Sequence, residues 1–170
     1  DDKMIVYTKG THVPETEYRC KKDGVFEKGK LAVLVDEGSA SASEILSGAL
    51  QDWDRADIVG RRTFGKGLVQ QQYPLSDGGA LRLTIARYYT PLGRNIQKPY
   101  DKNMNDYDNE LLQRFHDGEV VHGDTAAKKG PAFKTPAGHL VYGGGGITPD
   151  VFIAFDTALQ PKAVTQLYYK

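Results

Sequence analysis

Three serines stand close together in Gly38-Ser39-Ala40-Ser41-Ala42-Ser43-Glu44, between an apolar run and a segment of helical periodicity. A hydroxyl at the start of a helix lies among N–H groups that have no intrahelical acceptor, and such groups can hold a developing oxyanion. A serine placed there is a candidate nucleophile, provided that a base is within reach. The same residues also fit a structural role, because Ser41-Ala42-Ser43-Glu44 matches the capping box S-x-x-E. Spacing alone does not rank the three hydroxyls.

The candidate bases are the histidines and the lysines. His12 sits in a polar stretch, and His116, His122 and His139 lie in or beside a polar region, the usual setting of solvated surface histidine. Lys66 differs, being enclosed in Thr63-Phe64-Gly65-Lys66-Gly67-Leu68 by glycines and apolar residues. Glycines permit close backbone approach, and apolar neighbours predict a desolvated amine. A lysine accepts a serine proton only in its neutral form, which desolvation favours.

The same stretch nearly spells a phosphate-binding loop, since Gly60 to Gly67 approaches G-x-x-x-x-G-K-[ST]. Two features oppose that reading. Position 67 is glycine, so the hydroxyl that would bind magnesium is missing, and the next residues, Leu68-Val69-Gln70-Gln71-Gln72-Tyr73, have strand character where a phosphate loop must open a helix.

The elements that must position these residues follow from periodicity. Leu31 to Val35 is a continuous apolar run that predicts a central strand buried on both faces. Apolar residues then recur at Ala42, Ile45, Leu46, Ala49, Leu50 and Trp53, predicting a helix from about Ser41 to Trp53 with that face inward. Ala56 to Gly60 is a second strand, so a strand-helix-strand unit and an α/β fold are expected. Residues 68–75 and 80–89 predict an antiparallel hairpin around Ser76-Asp77-Gly78-Gly79. Residues 98–140 turn polar, with a short helix expected around Glu110 to Phe115, and read as a surface excursion. Four glycines, Gly143 to Gly146, precede an apolar strand from Val151 to Phe155.

Composition narrows the classes. The 170 residues suit one domain, here 1–170, and 22 basic residues balance 22 acidic ones. No global field therefore draws the chain to nucleic acid or an anionic surface, while neutral peptide-like partners are not disfavoured. Cys20 is the only cysteine, so an intrachain disulfide and a cysteine-rich metal cage are excluded, and no metal or cofactor is expected. No apolar run approaches the length of a membrane-spanning helix. The chain opens almost directly on the apolar run Met4-Ile5-Val6-Tyr7, which suggests a fragment of something longer.

Taken in order, Gly38-Ser39-Ala40-Ser41-Ala42-Ser43-Glu44-Ile45, Thr63-Phe64-Gly65-Lys66-Gly67 and Val69-Gln70 resemble the signature of the carboxy-terminal processing (tail-specific) serine proteases. Thr90-Pro91-Leu92-Gly93-Arg94-Asn95-Ile96-Gln97 and Gly146-Ile147-Thr148-Pro149-Asp150 are similar to two further family segments, and the likeness covers about residues 31–97 and 141–153. It implies Ser41 as nucleophile, Lys66 as general base, Gln70 as the residue that helps hold the lysine, and the Ala42 N–H as an oxyanion donor. It also implies a core related to the crotonase and Clp-protease folds. The expected reaction is cleavage of protein or peptide substrates near their carboxy termini through an acyl-enzyme, in the bacterial periplasm or cell envelope. Homo-oligomerisation is left open. The alternative is a noncatalytic module binding a hydrophobic ligand or peptide on the same fold, since fold does not guarantee chemistry. Complete members carry an upstream strand and glycine-rich turn that donate part of the oxyanion hole, and usually a PDZ domain. Neither is matched in this sequence, so the 170 residues alone are expected to be a poor protease.

Overall fold

The structure is a computed structural model and describes residues 2–99, 104–123 and 130–156. Two sheets and a short hairpin make up a mixed α/β fold. Strand β1 (Met4–Lys9), β2 (Thr16–Arg19), β5 (Leu68–Pro74) and β6 (Ala80–Tyr89) form an antiparallel sheet in the order β2-β1-β6-β5. Strands β3 (Ala32–Val35), β4 (Asp57–Gly60) and β9 (Val151–Phe152) form a parallel sheet in that order. Helix α1 (Ala42–Asp52) connects β3 to β4, as the expected strand-helix-strand unit requires. Helices α2 (Met104–His116) and α3 (Glu119–His122) and the pair β7 (Ala132–Lys134) and β8 (Leu140–Tyr142) occupy the stretch between β6 and β9.

Val35, Ile58, Ile96 and Ile147 form the buried cluster, with Val33, Ile45, Ala56 and Tyr88 packed against it. Every one of these comes from β3, α1, β4, β6 or the segments just before β4 and after β6 and β8. The core therefore lies directly beneath the loops that follow β3 and β4. The indole N–H of Trp53 donates to the Met4 carbonyl at 2.8 Å, tying the end of α1 to β1. The rings of Tyr7 and Tyr89, paired across β1 and β6, stack with centroids 5.0 Å apart.

Two expectations are corrected. Among the described residues β3 is an edge strand, with Val33 and Val35 turned to the core and Leu34 80% exposed. A continuous apolar run is buried on both faces only where a second layer covers it, and here only one face and the β4 side are covered. The apolar face of α1 turns inward only in part, for Ala49 is buried and Ile45 packs on the core, but Glu44, Ser47, Gly48, Gln51 and Asp52 are buried as well and Leu46 is exposed. The buried face is otherwise small and polar because it must receive polar groups. Arg94 and Asp52 meet there as a fully buried ion pair at 2.5 Å, and Arg94 Nη2 also donates to the Gly48 carbonyl. Burial pulls the Arg94 guanidinium below its ordinary value, and the Asp52 charge opposes that shift.

The hairpin has the expected strands and turn, with a register slip at its base. Val69 pairs with Ala86 but Gln70 pairs with Thr84, leaving Ile85 unopposed. The region after β6 is not wholly superficial, because Lys98, Arg114, Val120 and Thr135 are buried. Its helix is longer than the one expected around Glu110 to Phe115, and the last strand is shorter than Val151 to Phe155.

Candidate active site

Ser41 is the residue before α1, as the capping pattern requires, but its backbone is unusual. It has φ 58° and ψ −116°. Among the described residues the other non-glycine positions with positive φ are Asp2 and Asp54, of a residue type that tolerates such values. Serine in this conformation stores strain on the order of 1–3 kcal/mol. The turn projects the residue where strand β3 has ended and the helix has not yet closed its hydrogen bonds. Ala42, the next residue, opens the first turn of α1, where N–H groups lack intrahelical acceptors.

Glu44 holds this turn in place and does more than cap. Its Oε2 accepts the Ser41 N–H at 3.0 Å, the return bond of a capping box, and the Lys66 N–H at 2.8 Å. Its Oε1 accepts the Gly65 N–H at 2.7 Å and the Thr63 hydroxyl at 2.5 Å. The side chain is fully buried. Four donors thus converge on one carboxylate, which is how a buried acidic group is accommodated without a direct cationic partner. The capping motif was visible in the sequence. Its second task, gathering a loop some twenty residues later, was not, because nothing local announces that partner.

The Lys66 loop is held group by group. Thr63 N–H donates to the Ile147 carbonyl at 3.1 Å and Phe64 N–H to the Ser39 carbonyl at 2.9 Å. Lys98 N–H reaches the Gly65 carbonyl at 3.0 Å, and Gly67 N–H donates to Gln97 Oε1 at 2.9 Å. Both glycines are required by contact. A Cβ at Gly65, whose φ is 89°, would lie 3.0 Å from Lys98 Cβ, and one at Gly67 would lie 2.7 Å from the Gln97 nitrogen.

The expected desolvation of Lys66 is not found, since the side chain is exposed. Gly65 and Gly67 bury the loop's backbone, and the lysine side chain leaves it outward. Gln70 is likewise exposed, beside the register slip in the hairpin. Bulges of this kind concentrate near active sites and re-aim neighbouring side chains. No hydrogen bond among the described residues joins Lys66 Nζ to Ser41 Oγ or to Gln70. The structure therefore brings the Ser41 and Lys66 backbones together through Glu44, without a hydrogen bond between their side chains.

His12, His116, His122 and His139 are exposed, and among the described residues only His139 has a carboxylate partner, Asp54 at 2.9 Å. Burial raises the Asp54 carboxyl, but hydrogen bonds from Thr135, Ala137 and His139 outweigh it and leave the group below its ordinary value. This pair lies past the far end of α1 from Ser41. Among the described residues, no group of three His, Cys, Asp or Glu is arranged to hold a metal ion.

The model of peptidase family S41 matches residues 1–104. The chain belongs to peptidase family S41. The matched stretch contains Ser41, Glu44, Lys66 and Gln70, and the family's relatives bear consistent names. A carboxyl-terminal-processing protease of Synechocystis sp. is 44% identical over 97 residues, covering 57% of this chain and 22% of its own. The chloroplastic carboxyl-terminal-processing peptidase 3 of Arabidopsis thaliana is 62% identical over 90 residues, covering 53% and 17%. Among solved structures, the photosystem II D1 C-terminal processing protease aligns with a TM-score of 0.59 at 29% identity, covering 91% of this chain and 28% of that one. The chain spans about a fifth of the length of the curated relatives it matches. No helix among the described residues is long and apolar enough to cross a membrane.

Proposed function

We propose that this S41 chain carries the Ser-Lys core of a serine endopeptidase that cleaves protein substrates near their carboxy termini. The observation that carries the reading is the conformation of Ser41. A strained serine at a strand-to-helix turn, followed at once by the first N–H of a helix, that of Ala42, is the arrangement that exposes a nucleophilic Oγ. In the reaction Lys66 takes the Ser41 proton, Ser41 Oγ attacks the scissile carbonyl, and the Ala42 N–H donates to the oxyanion. The protonated lysine then returns its proton to the leaving amine, and water hydrolyses the acyl-enzyme. Lys66 must be neutral for the first step, and covering of this exposed side chain by bound substrate removes its hydration. Gln70 orients the lysine. The setting proposed for the chain is the bacterial envelope or periplasm, which rests on the family resemblance; the relatives' names go only as far as bacteria and chloroplasts.

The exposure of Lys66 favours a second reading, in which the fold binds an extended peptide without cutting it. A fluorophosphonate probe separates the two in the full-length protein. Labelling confined to Ser41 and lost in Ser41→Ala and Lys66→Ala supports the peptidase. Failure of the wild-type protein to label, with retained peptide binding, overturns it.

A further inference from the structure

The loop that presents Lys66 lies inside the stretch matched by the family model, but part of what holds it lies outside. Arg114, on α2, donates from Nη1 to the Thr63 carbonyl at 3.0 Å and from Nη2 to the Arg62 carbonyl at 2.5 Å. Its Nε donates to Glu119 Oε1 at 2.9 Å, so every edge of the guanidinium is engaged. The residue is 3% exposed. Burial pulls this guanidinium below its ordinary value and neighbouring Arg62 adds to that, while Glu119 and Glu110 oppose the shift. Arginine nevertheless keeps its charge in proteins. A buried cation aimed at two consecutive carbonyls acts as a rigid fork, because guanidinium geometry is planar and its donors are fixed.

The fork is itself fixed. Glu119, at the start of α3, receives Arg62 at 2.9 and 2.8 Å on its two oxygens as well as Arg114. Glu110 bridges Arg62 Nη2 at 3.2 Å and Lys98 Nζ at 3.1 Å. The Lys98 ammonium lies between the rings of Phe64 and Tyr107, 4.1 and 4.3 Å from their centroids. Cations and carboxylates alternate through this cluster, and it closes over one side of the loop from Arg62 to Gly65. Glu44 holds the same loop through the Thr63 hydroxyl and the Gly65 and Lys66 N–H groups.

We propose that Arg114 is a positioning residue for Lys66, and that the α2–α3 segment is a clamp on the active site rather than a surface excursion. The inference rests on the Ser-Lys reading above. Arg114 hydrogen-bonds to the carbonyls of Arg62 and Thr63 and to Glu119, and acts on Lys66 through the backbone. It sets the path of the Arg62–Thr63 backbone, and so the point from which Lys66 leaves the loop. Small displacements of a proton acceptor are costly, with about a hundredfold loss for a shift near 1 Å.

The test uses the full-length protein, with peptide turnover and fluorophosphonate labelling read together. Arg114→Ala is expected to lower kcat by about ten- to a hundredfold while KM changes by less than about threefold, since the proposed task is to place the proton acceptor and not to bind substrate. Arg114→Lys, which can satisfy one carbonyl but not both with the same geometry, is expected to recover part of that loss. Val120→Ala serves as the control, removing buried apolar volume from the same segment without touching the loop carbonyls. It should lower thermal stability yet keep wild-type kcat in the folded range. Should Arg114→Ala fail to fold, Glu119→Gln answers the same question by loosening the fork, with a smaller fall in kcat. Wild-type kcat in folded Arg114→Ala or Glu119→Gln, or an equal kcat loss in Val120→Ala, overturns the clamp while Ser41 labelling persists. Absence of Ser41 labelling in the wild-type protein instead overturns the Ser-Lys reading, and the clamp with it.

Discussion

Ser41 and Lys66 donate their backbone N–H groups to the same atom, Oε2 of Glu44, at 3.0 and 2.8 Å. The two residues are thereby yoked through the main chain, whatever their side chains do. An acceptor-only group suits this task, because four donors face it and any N–H on the side chain would meet another donor.

Glu44→Gln is therefore expected to destabilise the fold by about 3 kcal/mol or more, since its amide cannot accept at both positions and leaves buried donors unpaired. Denaturant unfolding of this chain measures the loss. A change below about 1 kcal/mol would show that the carboxylate is dispensable.

Lys66→Arg should abolish turnover in the full-length protein, because arginine is not deprotonated in proteins and cannot accept the Ser41 proton. Gln70→Ala should cost less, its task being orientation alone. Lys66→Arg labelling at the wild-type rate would remove lysine from the mechanism.

Acid should weaken the α2–α3 clamp. Burial alone would raise the Glu119 carboxyl, but the hydrogen bonds and charges of Arg62 and Arg114 outweigh it and hold the group below its ordinary value. A carboxyl depressed by folding contributes stability that is complete above its unfolded value, about 4.3, and lost as pH falls through the folded value. The stability difference between wild type and Glu119→Gln should thus be constant above about pH 5 and shrink below about pH 4. Chemical unfolding across that range measures it, and a difference that grows in acid would contradict the assignment.

The oxyanion site gives a fourth expectation. If a glycine-rich turn upstream supplies a second donor, as the family resemblance implies, this 170-residue chain alone lacks about 2.7–4 kcal/mol of transition-state stabilisation. Peptide cleavage per Ser41 should then be about a hundred- to a thousandfold slower than in a version extended upstream. Equal rates would mean that α1 and its neighbours already complete the hole.

Features set by neighbouring residues could be read in advance. The hairpin was legible because Ser76-Asp77-Gly78-Gly79 carries its own turn chemistry, and the start of α1 because Ser41 and Glu44 form a local motif. What escaped depends on partners distant in sequence. Polar Arg114 and Glu119 resemble any solvated helix surface until the carbonyls of Arg62 and Thr63 are seen beside them. Leu34 escaped for the opposite reason, since an apolar run does not say which of its faces another layer will cover.

The backbone of Ser41 sets folding against function at a single position. Glycine adopts φ 58° without a Cβ penalty, so Ser41→Gly should gain on the order of 1 kcal/mol from relief of strain, in part offset by the freer unfolded chain. The same change removes the hydroxyl. A gain in thermal persistence from Ser41→Gly would therefore come with loss of the hydroxyl that the proposed reaction requires.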